Sequence, residues 1–336
     1  MIRFSLVRPG EVTQLTAVND DVLAGIRLGD QEEFWYQSSG GAKVQGWLVK
    51  PPNFDPNKKY PLILEIHGGP HGAYNVAFSY MNQNFAANGN LVLYTNPRGS
   101  TGYGTGFGNA IERAYPSVDY DDLIAAVDTV VGRGIVDESR MYVGGCSGGG
   151  VLSSWVIGHT TRFAAAAVRC PVIDWLSFSG QTDIPLFTGN FFDKPFWEDP
   201  EAVARQSSLM YVKNVKTPTL LMTGQLDMRT PMPQTEEYYA ALKMLGVPAR
   251  FFSSPASITA PRRSPRTSCG PCFTCRAGTR SGAARTAPPR CRDGGPRRSR
   301  RAAPRQVGAP PPRGCRGARR GAGLRRRRRW LHRKRL

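Results

Sequence analysis

The residues with the clearest chemical potential are Gly145-Cys146-Ser147-Gly148-Gly149. A short apolar run, 141–143, precedes them and a helical pattern over 148–158 follows. A serine between a strand and a helix must occupy a sharp, strained turn. Side chains two residues either side would collide there, so glycine is expected at both places. The turn lifts the hydroxyl clear of the sheet. It also sets Ser147 at a helix N-terminus, where backbone N–H groups favour a developing oxyanion. That chemistry is nucleophilic attack on an acyl carbon. The bland alternative is a Gly-rich turn that merely packs a helix on a sheet. Cys146 is a rival nucleophile, but the turn aims only its central residue outward. Cys146 is therefore expected to be a buried packing thiol.

Two further constellations fit the same chemistry. His67-Gly68-Gly69-Pro70 follows the apolar run 62–66 and supplies backbone donors, so Gly69 and Gly148 are the expected oxyanion pair. His67 is read as a brace for this loop and His71 as a flank of the pocket. Asp227 lies in a loop past the apolar run 218–223, 80 residues after Ser147. A carboxylate there orients a histidine and stabilises its charged form; otherwise it is an exposed loop aspartate. The order serine, then aspartate, then histidine is that of the α/β-hydrolase fold.

The elements that must position these groups alternate. Strands are predicted from Lys43, at 62–66, 91–95, 141–143, 164–169, 218–223 and from 249. Helices are predicted over 119–132, 148–158 and 232–245. In 119–132, Leu123, Ala126, Val127, Val130 and Val131 share a face, with acidic residues in the first turn. Strands alternating with helices imply an α/β fold: a mostly parallel sheet with helices on both faces. Residues 1–40 show no helical period and read as a remnant of an upstream domain or a linker. Residues 41–252 read as the catalytic domain.

Taken together, HGGPHG (67–72), NPRGSTGYG (96–104), DYDDLIAAVD (119–128), GGCSGGG (144–150) and GQLDMRTP (224–231) resemble the prolyl oligopeptidase family of serine peptidases. The branch they resemble is that of acylaminoacyl peptidases and dipeptidyl peptidases. The resemblance covers about residues 40–252. It implies hydrolysis of short peptides through an acyl-enzyme on Ser147, with no cofactor and no metal. Members carry a β-propeller before the catalytic domain that screens out large substrates; here at most its last strands are expected. The resemblance also implies a catalytic histidine roughly thirty residues past Asp227, and none stands there.

From Ser253 the composition changes. Residues 253–336 hold 25 Lys and Arg against one acidic residue, Asp293, whereas the rest of the chain carries 20 basic and 24 acidic residues. The segment is rich in Arg, Pro, Gly, Ala and Ser, has almost no aliphatic residues, and cannot bury a core. It reads as a disordered tail made in a shifted reading frame, with the last strand and helix of the fold missing. Written as GCG AGT ATC ACG GCA CCG, residues 256–261 read from the third base as Glu-Tyr-His-Gly-Thr. Allowed codons can then continue into Cys275 as a last helix, Ala-Ser-Gln-Pro-Ser-Asn-Phe-Leu-Arg-Thr-Met-Leu-Tyr-Leu. On this reading the missing histidine is spread over the codons of Ile258 and Thr259. Of the four histidines present, none fits the base position. His67 and His71 belong to the glycine loop, and His332 lies in the tail. At 1.5 Å per residue, His159 sits about 18 Å along the helix from Ser147. Loss of a triad histidine costs about a millionfold in kcat, so an impaired enzyme is expected.

Other readings bear on partners. Cys269-x-x-Cys272-x-x-Cys275 has metal-like spacing but no matching second pair, and the shifted frame explains all three cysteines. The basic tail binds nucleic acid only non-specifically, through phosphate. A small-ester esterase of the same fold and a non-catalytic polyanion-binding protein are the rival functions. Cys146 and Cys170 are the only cysteines before residue 253 and read as free thiols. With no leader and no stretch of roughly 20 apolar residues, a cytoplasmic, non-membrane location is expected. Phe178, Phe187, Phe191, Phe192, Phe196 and Trp197 suggest apolar pocket lining, with core packing the commoner use. Nothing in the sequence sets the oligomeric state.

Overall fold

Strands buried on both faces need apolar residues at successive positions, and the run 91–96 has them. In a computed structural model describing residues 2–256 and residue 259, all six of these side chains are buried. Leu91 and Leu93 pack in the larger core cluster with Leu123, Ala126, Val127 and Val130 of the helix predicted at 119–132. Val92 and Tyr94 point the other way, into a smaller cluster with Trp47, Val49 and Ala86. The period of two along one strand thus feeds helices on opposite faces of the sheet.

In chain order, β1 (Ile2–Phe4) and β2 (Val12–Gln14) form a separate two-stranded antiparallel sheet, followed by a single turn, α1 (Asp20–Leu23). Then come β3 (Gln31–Gln37), β4 (Lys43–Val49), β5 (Tyr60–Ile66), α2 (Tyr80–Ala87) and β6 (Leu91–Asn96). They are followed by α3 (Thr105–Gly108), α4 (Val118–Val131), β7 (Val136–Cys146), α5 (Gly148–His159) and β8 (Ala165–Arg169). The last are α6 (Trp175–Gln181), α7 (Pro200–Arg205), β9 (Thr219–Gly224), α8 (Met232–Met244) and β10 (Ala249–Ser254). The main sheet has eight strands in the order β10-β9-β8-β7-β5-β6-β4-β3. The pairs β3–β4 and β4–β6 are antiparallel and the rest are parallel. This is the α/β-hydrolase arrangement the alternation implied.

Two expectations need correction. The boundary at residue 41 separates two paired strands, because β3 matches β4 over its whole length, from Gln31↔Val49 to Gln37↔Lys43. Phe34 and Tyr36 are buried, and the Tyr36 hydroxyl donates to the Asp122 carbonyl at 2.9 Å, so β3 belongs to the catalytic core. The last strand is also present. β10 pairs in parallel with β9 from Ala249↔Thr219 to Ser254↔Gly224. The apolar start of that strand is enough to dock it, and backbone hydrogen bonds carry it through Ser253 and Ser254, where the composition has already changed. Residues 257, 258 and 260–336, where a further helix would fall, lie outside the described residues.

Because β5, β7, β8 and β9 run parallel, their carboxyl ends meet at one edge of the sheet. Open α/β sheets place their ligands at that edge. Ile66, Cys146, Arg169 and Gly224 end these strands there.

Candidate active site

The turn after β7 has the geometry its glycines require. Ser147 has φ 59° and ψ −118°, in the left-handed region that a side chain occupies only under constraint. Such a conformation costs about 1–3 kcal/mol and persists where surrounding contacts over-determine it. Those contacts are close. A Cβ on Gly145 would lie 2.6 Å from the carbonyl group of Gly149, and one on Gly149 would lie 2.1 Å from the Ile66 oxygen. The Ser147 N–H donates to the carbonyls of Arg169 and Cys170, each at 3.2 Å. The Ser147 carbonyl accepts the first bond of α5, from Val151 at 2.9 Å. Arg169 is held in turn by a largely buried ion pair with Glu65 that crosses β7 over Gly144. Burial pushes the Glu65 carboxyl up and the Arg169 guanidinium opposes it.

The glycine loop after β5 lies against this turn. A Cβ on Gly148 would meet the Gly69 nitrogen at 2.7 Å, and one on Gly68 would meet the Cys146 oxygen at 3.1 Å. Gly69 has φ 139°, open to glycine. The backbones of Gly69 and Gly148, the two expected donors, are therefore neighbours beside Ser147.

His67 braces this loop. Its Nδ1–H donates to the Gly68 carbonyl at 2.8 Å, which leaves Nε2 to accept the Ser100 hydroxyl at 2.9 Å. Burial holds the ring below its ordinary pKa. His71 Nδ1 donates to the Gly99 carbonyl at 3.0 Å, and its ring stacks on Phe191 behind the pocket wall. The loop carrying Ser100 and Gly99 is anchored on α4, where the Arg98 guanidinium pairs with the buried Asp122 carboxylate at 2.7 Å. His159 stacks on Trp155 at the far end of α5, with ring centroids 4.1 Å apart.

Asp227 is not the exposed loop residue of the bland reading; it is 3% exposed. Its Oδ1 accepts the backbone N–H groups of Arg229 and Thr230, both at 3.2 Å. Thr259 approaches from further along the chain. Its N–H donates to Oδ2 at 2.9 Å and its hydroxyl to Oδ1 at 2.5 Å.

A pocket of about 210 Å³ opens beside Ser147, Gly148 and Gly69. Val151, Val172, Trp175, Phe178, Ile184 and Phe187 line it, with Arg229 and Thr230 also on its wall. Arg229 is held by Asp183, Nε to Oδ1 at 2.8 Å, and that pairing draws the Asp183 carboxyl below its ordinary pKa. Of the aromatic residues singled out in the sequence, Phe178 and Phe187 line the pocket. Phe191 and Phe192 are buried in the core, Phe196 packs against it, and Trp197 is exposed. Trp175, Ile184 and Tyr115 were missed. Tyr115 is fully buried, lines the pocket and donates its hydroxyl to the Gly148 carbonyl at 3.1 Å.

The free-thiol reading of Cys146 and Cys170 is corrected. The two form a disulfide, with Cα atoms 5.3 Å apart. The cause lies in the strand register. Cys146 stands opposite Arg169, the last residue of β8, so Cys170 follows directly on the adjacent strand's exit, within disulfide reach. Among the described residues, no cluster of His, Cys, Asp or Glu has the makings of a metal site. Cys269, Cys272 and Cys275 lie outside them. No helix among them is long and apolar enough to cross a membrane.

Comparison with known proteins agrees with this geometry. The model of the prolyl oligopeptidase family matches residues 76–257. The uncharacterized peptidase YuxL of Bacillus subtilis is 39% identical over 245 residues, 72% of this chain and 37% of its own length. The acylamino-acid-releasing enzyme of Mus musculus is 34% identical, over 71% of this chain and 34% of that protein. Among solved structures, the Pyrococcus horikoshii acylaminoacyl peptidase superposes with a TM-score of 0.70 at 29% identity. That match covers 74% of this chain and 41% of the other. The chain spans little more than a third of the curated relatives it matches.

Proposed function

Because the chain belongs to the prolyl oligopeptidase family of serine peptidases, we propose that its reaction is hydrolysis of short peptides through an acyl-enzyme on Ser147. The observation that carries this reading is the strained Ser147 turn, in contact with the Gly69 backbone and open to an apolar pocket. The Ser147 hydroxyl attacks the scissile carbonyl. The oxygen of the tetrahedral intermediate settles between the N–H groups of Gly69 and Gly148, preorganised donors that need no rearrangement as charge develops. The pocket takes an apolar side chain next to the scissile bond. Arg229, held by Asp183, offers a donor to a substrate carbonyl. Asp227 is the acid of the triad.

The same reading makes this chain a weak enzyme. His67 is committed to Gly68 and Ser100, His71 to Gly99, and His159 to the aromatic cluster at the end of α5. None is available as a base for Ser147. Turnover about a millionfold below that of an intact triad follows. The test compares an N-acyl-phenylalanine anilide with a p-nitrophenyl ester, each against Ser147→Ala. Slow, Ser147-dependent release from the anilide supports the peptidase; release from the ester alone supports an esterase. Anilide cleavage at rates typical of an intact serine peptidase overturns the claim of impairment. A cytoplasmic setting and non-specific binding of polyanions by residues 253–336 complete the proposal. Deleting residues 262–336, which hold every basic residue of the segment and leave β10 and Thr259 in place, should lower polyanion binding and leave hydrolysis unchanged.

A further inference from the structure

In a serine triad the base does two things at once. One ring nitrogen donates to the carboxylate, and the other takes the proton of the serine. On Asp227, the backbone N–H groups of Arg229 and Thr230 come from the aspartate's own turn and only position it. Thr259 is different. It arrives from 32 residues further along the chain, past β10, and places both an N–H and a hydroxyl on the carboxylate. The hydroxyl reproduces the donor half of an imidazole. It cannot reproduce the other half, because a threonine hydroxyl has no basic lone pair able to hold a proton near neutral pH. In the shifted reading frame a histidine falls across the codons of Ile258 and Thr259, independently of any contact.

We propose that Thr259 stands where the triad base belongs, so that an imidazole supplied at that position makes Ser147 a working nucleophile. This rests on the reading of Ser147 as a hydrolytic serine. In the step, Ser147 Oγ bonds to the acyl carbon while its proton passes to the imidazole. The imidazolium then returns that proton to the departing amine or alkoxide as the carbonyl–heteroatom bond breaks. Water repeats the sequence to release the acid, and no redox partner is involved.

The experiment uses the full chain with Thr259→His, alone and combined with Asp227→Asn or Ser147→Ala. Hydrolysis of p-nitrophenyl acetate and of an N-acyl-phenylalanine anilide is followed beside the NMR titration of the introduced imidazole. The expected result is a Ser147-dependent gain of about a thousandfold or more, with the imidazole titrating higher when Asp227 is intact. An imidazole that titrates identically with and without Asp227 overturns the placement of Thr259. An imidazole that responds to Asp227 but confers no Ser147-dependent hydrolysis leaves the placement standing and sinks the peptidase reading instead. If Thr259→His does not fold, Thr259→Gly with free imidazole serves. Saturable, Ser147-dependent rescue is expected there, and its absence overturns the proposal.

Discussion

The two halves of the site are built to different degrees. The nucleophile half is held by backbone on every side: Gly149 against Ile66, Gly148 against Gly69, and Ser147 N–H on the carbonyls after β8. The acid half is held by hydrogen bonds to one buried carboxylate, and one of the residues making them, Thr259, lies beyond the strand where the composition changes. The first half is a consequence of packing a helix and a loop onto one sheet edge. The second depends on what the chain places there. A site of this kind can lose its chemistry while keeping its shape.

The sharpest way to break the comparison is Gly149→Ala. With backbone oxygen 2.1 Å from the added methyl, no side chain can yield, so loss of stability above about 4 kcal/mol is expected in a urea titration. A variant as stable as the parent would show that the turn is not over-determined. Next is reduction of Cys146–Cys170, which bridges residues 24 apart. A loop of that size is expected to contribute about 3 kcal/mol, read as a fall in the denaturant midpoint with dithiothreitol. Cys146→Ala/Cys170→Ala should be insensitive to the reductant. On the acid side, Asp227→Ala strands the N–H groups of Arg229, Thr230 and Thr259 and should cost about 2 kcal/mol. Equal stability would mean that the carboxylate is not the organiser of its turn.

The smallest effect is a pH dependence on the nucleophile side. Burial depresses the folded-state pKa of His67 below its ordinary 6.5. The folded form therefore binds fewer protons than the unfolded chain, and this contribution to stability is present above pH 6.5. It is lost as pH falls from there through the depressed value. His67→Gln should flatten that decline in denaturation midpoints taken across the acid range; an unchanged slope would assign the decline to other groups.

Much of the nucleophile half was legible before any coordinates. Gly145, Ser147 and Gly149 encode a steric requirement, and steric requirements survive translation into one dimension. The place of Asp227 after a strand was legible, but its burial was not, since the same loop could have left it exposed. The pocket wall was legible only in part: Phe178 and Phe187 stood out as aromatics, whereas Trp175 and Ile184 come from short elements and loops between β8 and β9 with no period to follow. Tyr115 was missed for the same reason. β3 did carry a signal: Phe34 and Tyr36 are buried while Glu33 and Trp35 are exposed, an alternation passed over because it lay beyond the motifs. The Cys146–Cys170 bond was beyond reach, since it depends on the register of β7 against β8, which no local pattern states.

The crowding of Gly149 against the Ile66 carbonyl bears on the history of the chain. Purifying selection on those glycines does not need turnover; it needs only a sheet that folds. The fold needs Gly149 whether or not anything is hydrolysed, and the buried pocket wall, Trp175 and Phe178 included, serves the core as well. The elbow is therefore a record of how the sheet is packed, and the glycines alone do not decide whether Ser147 turns over.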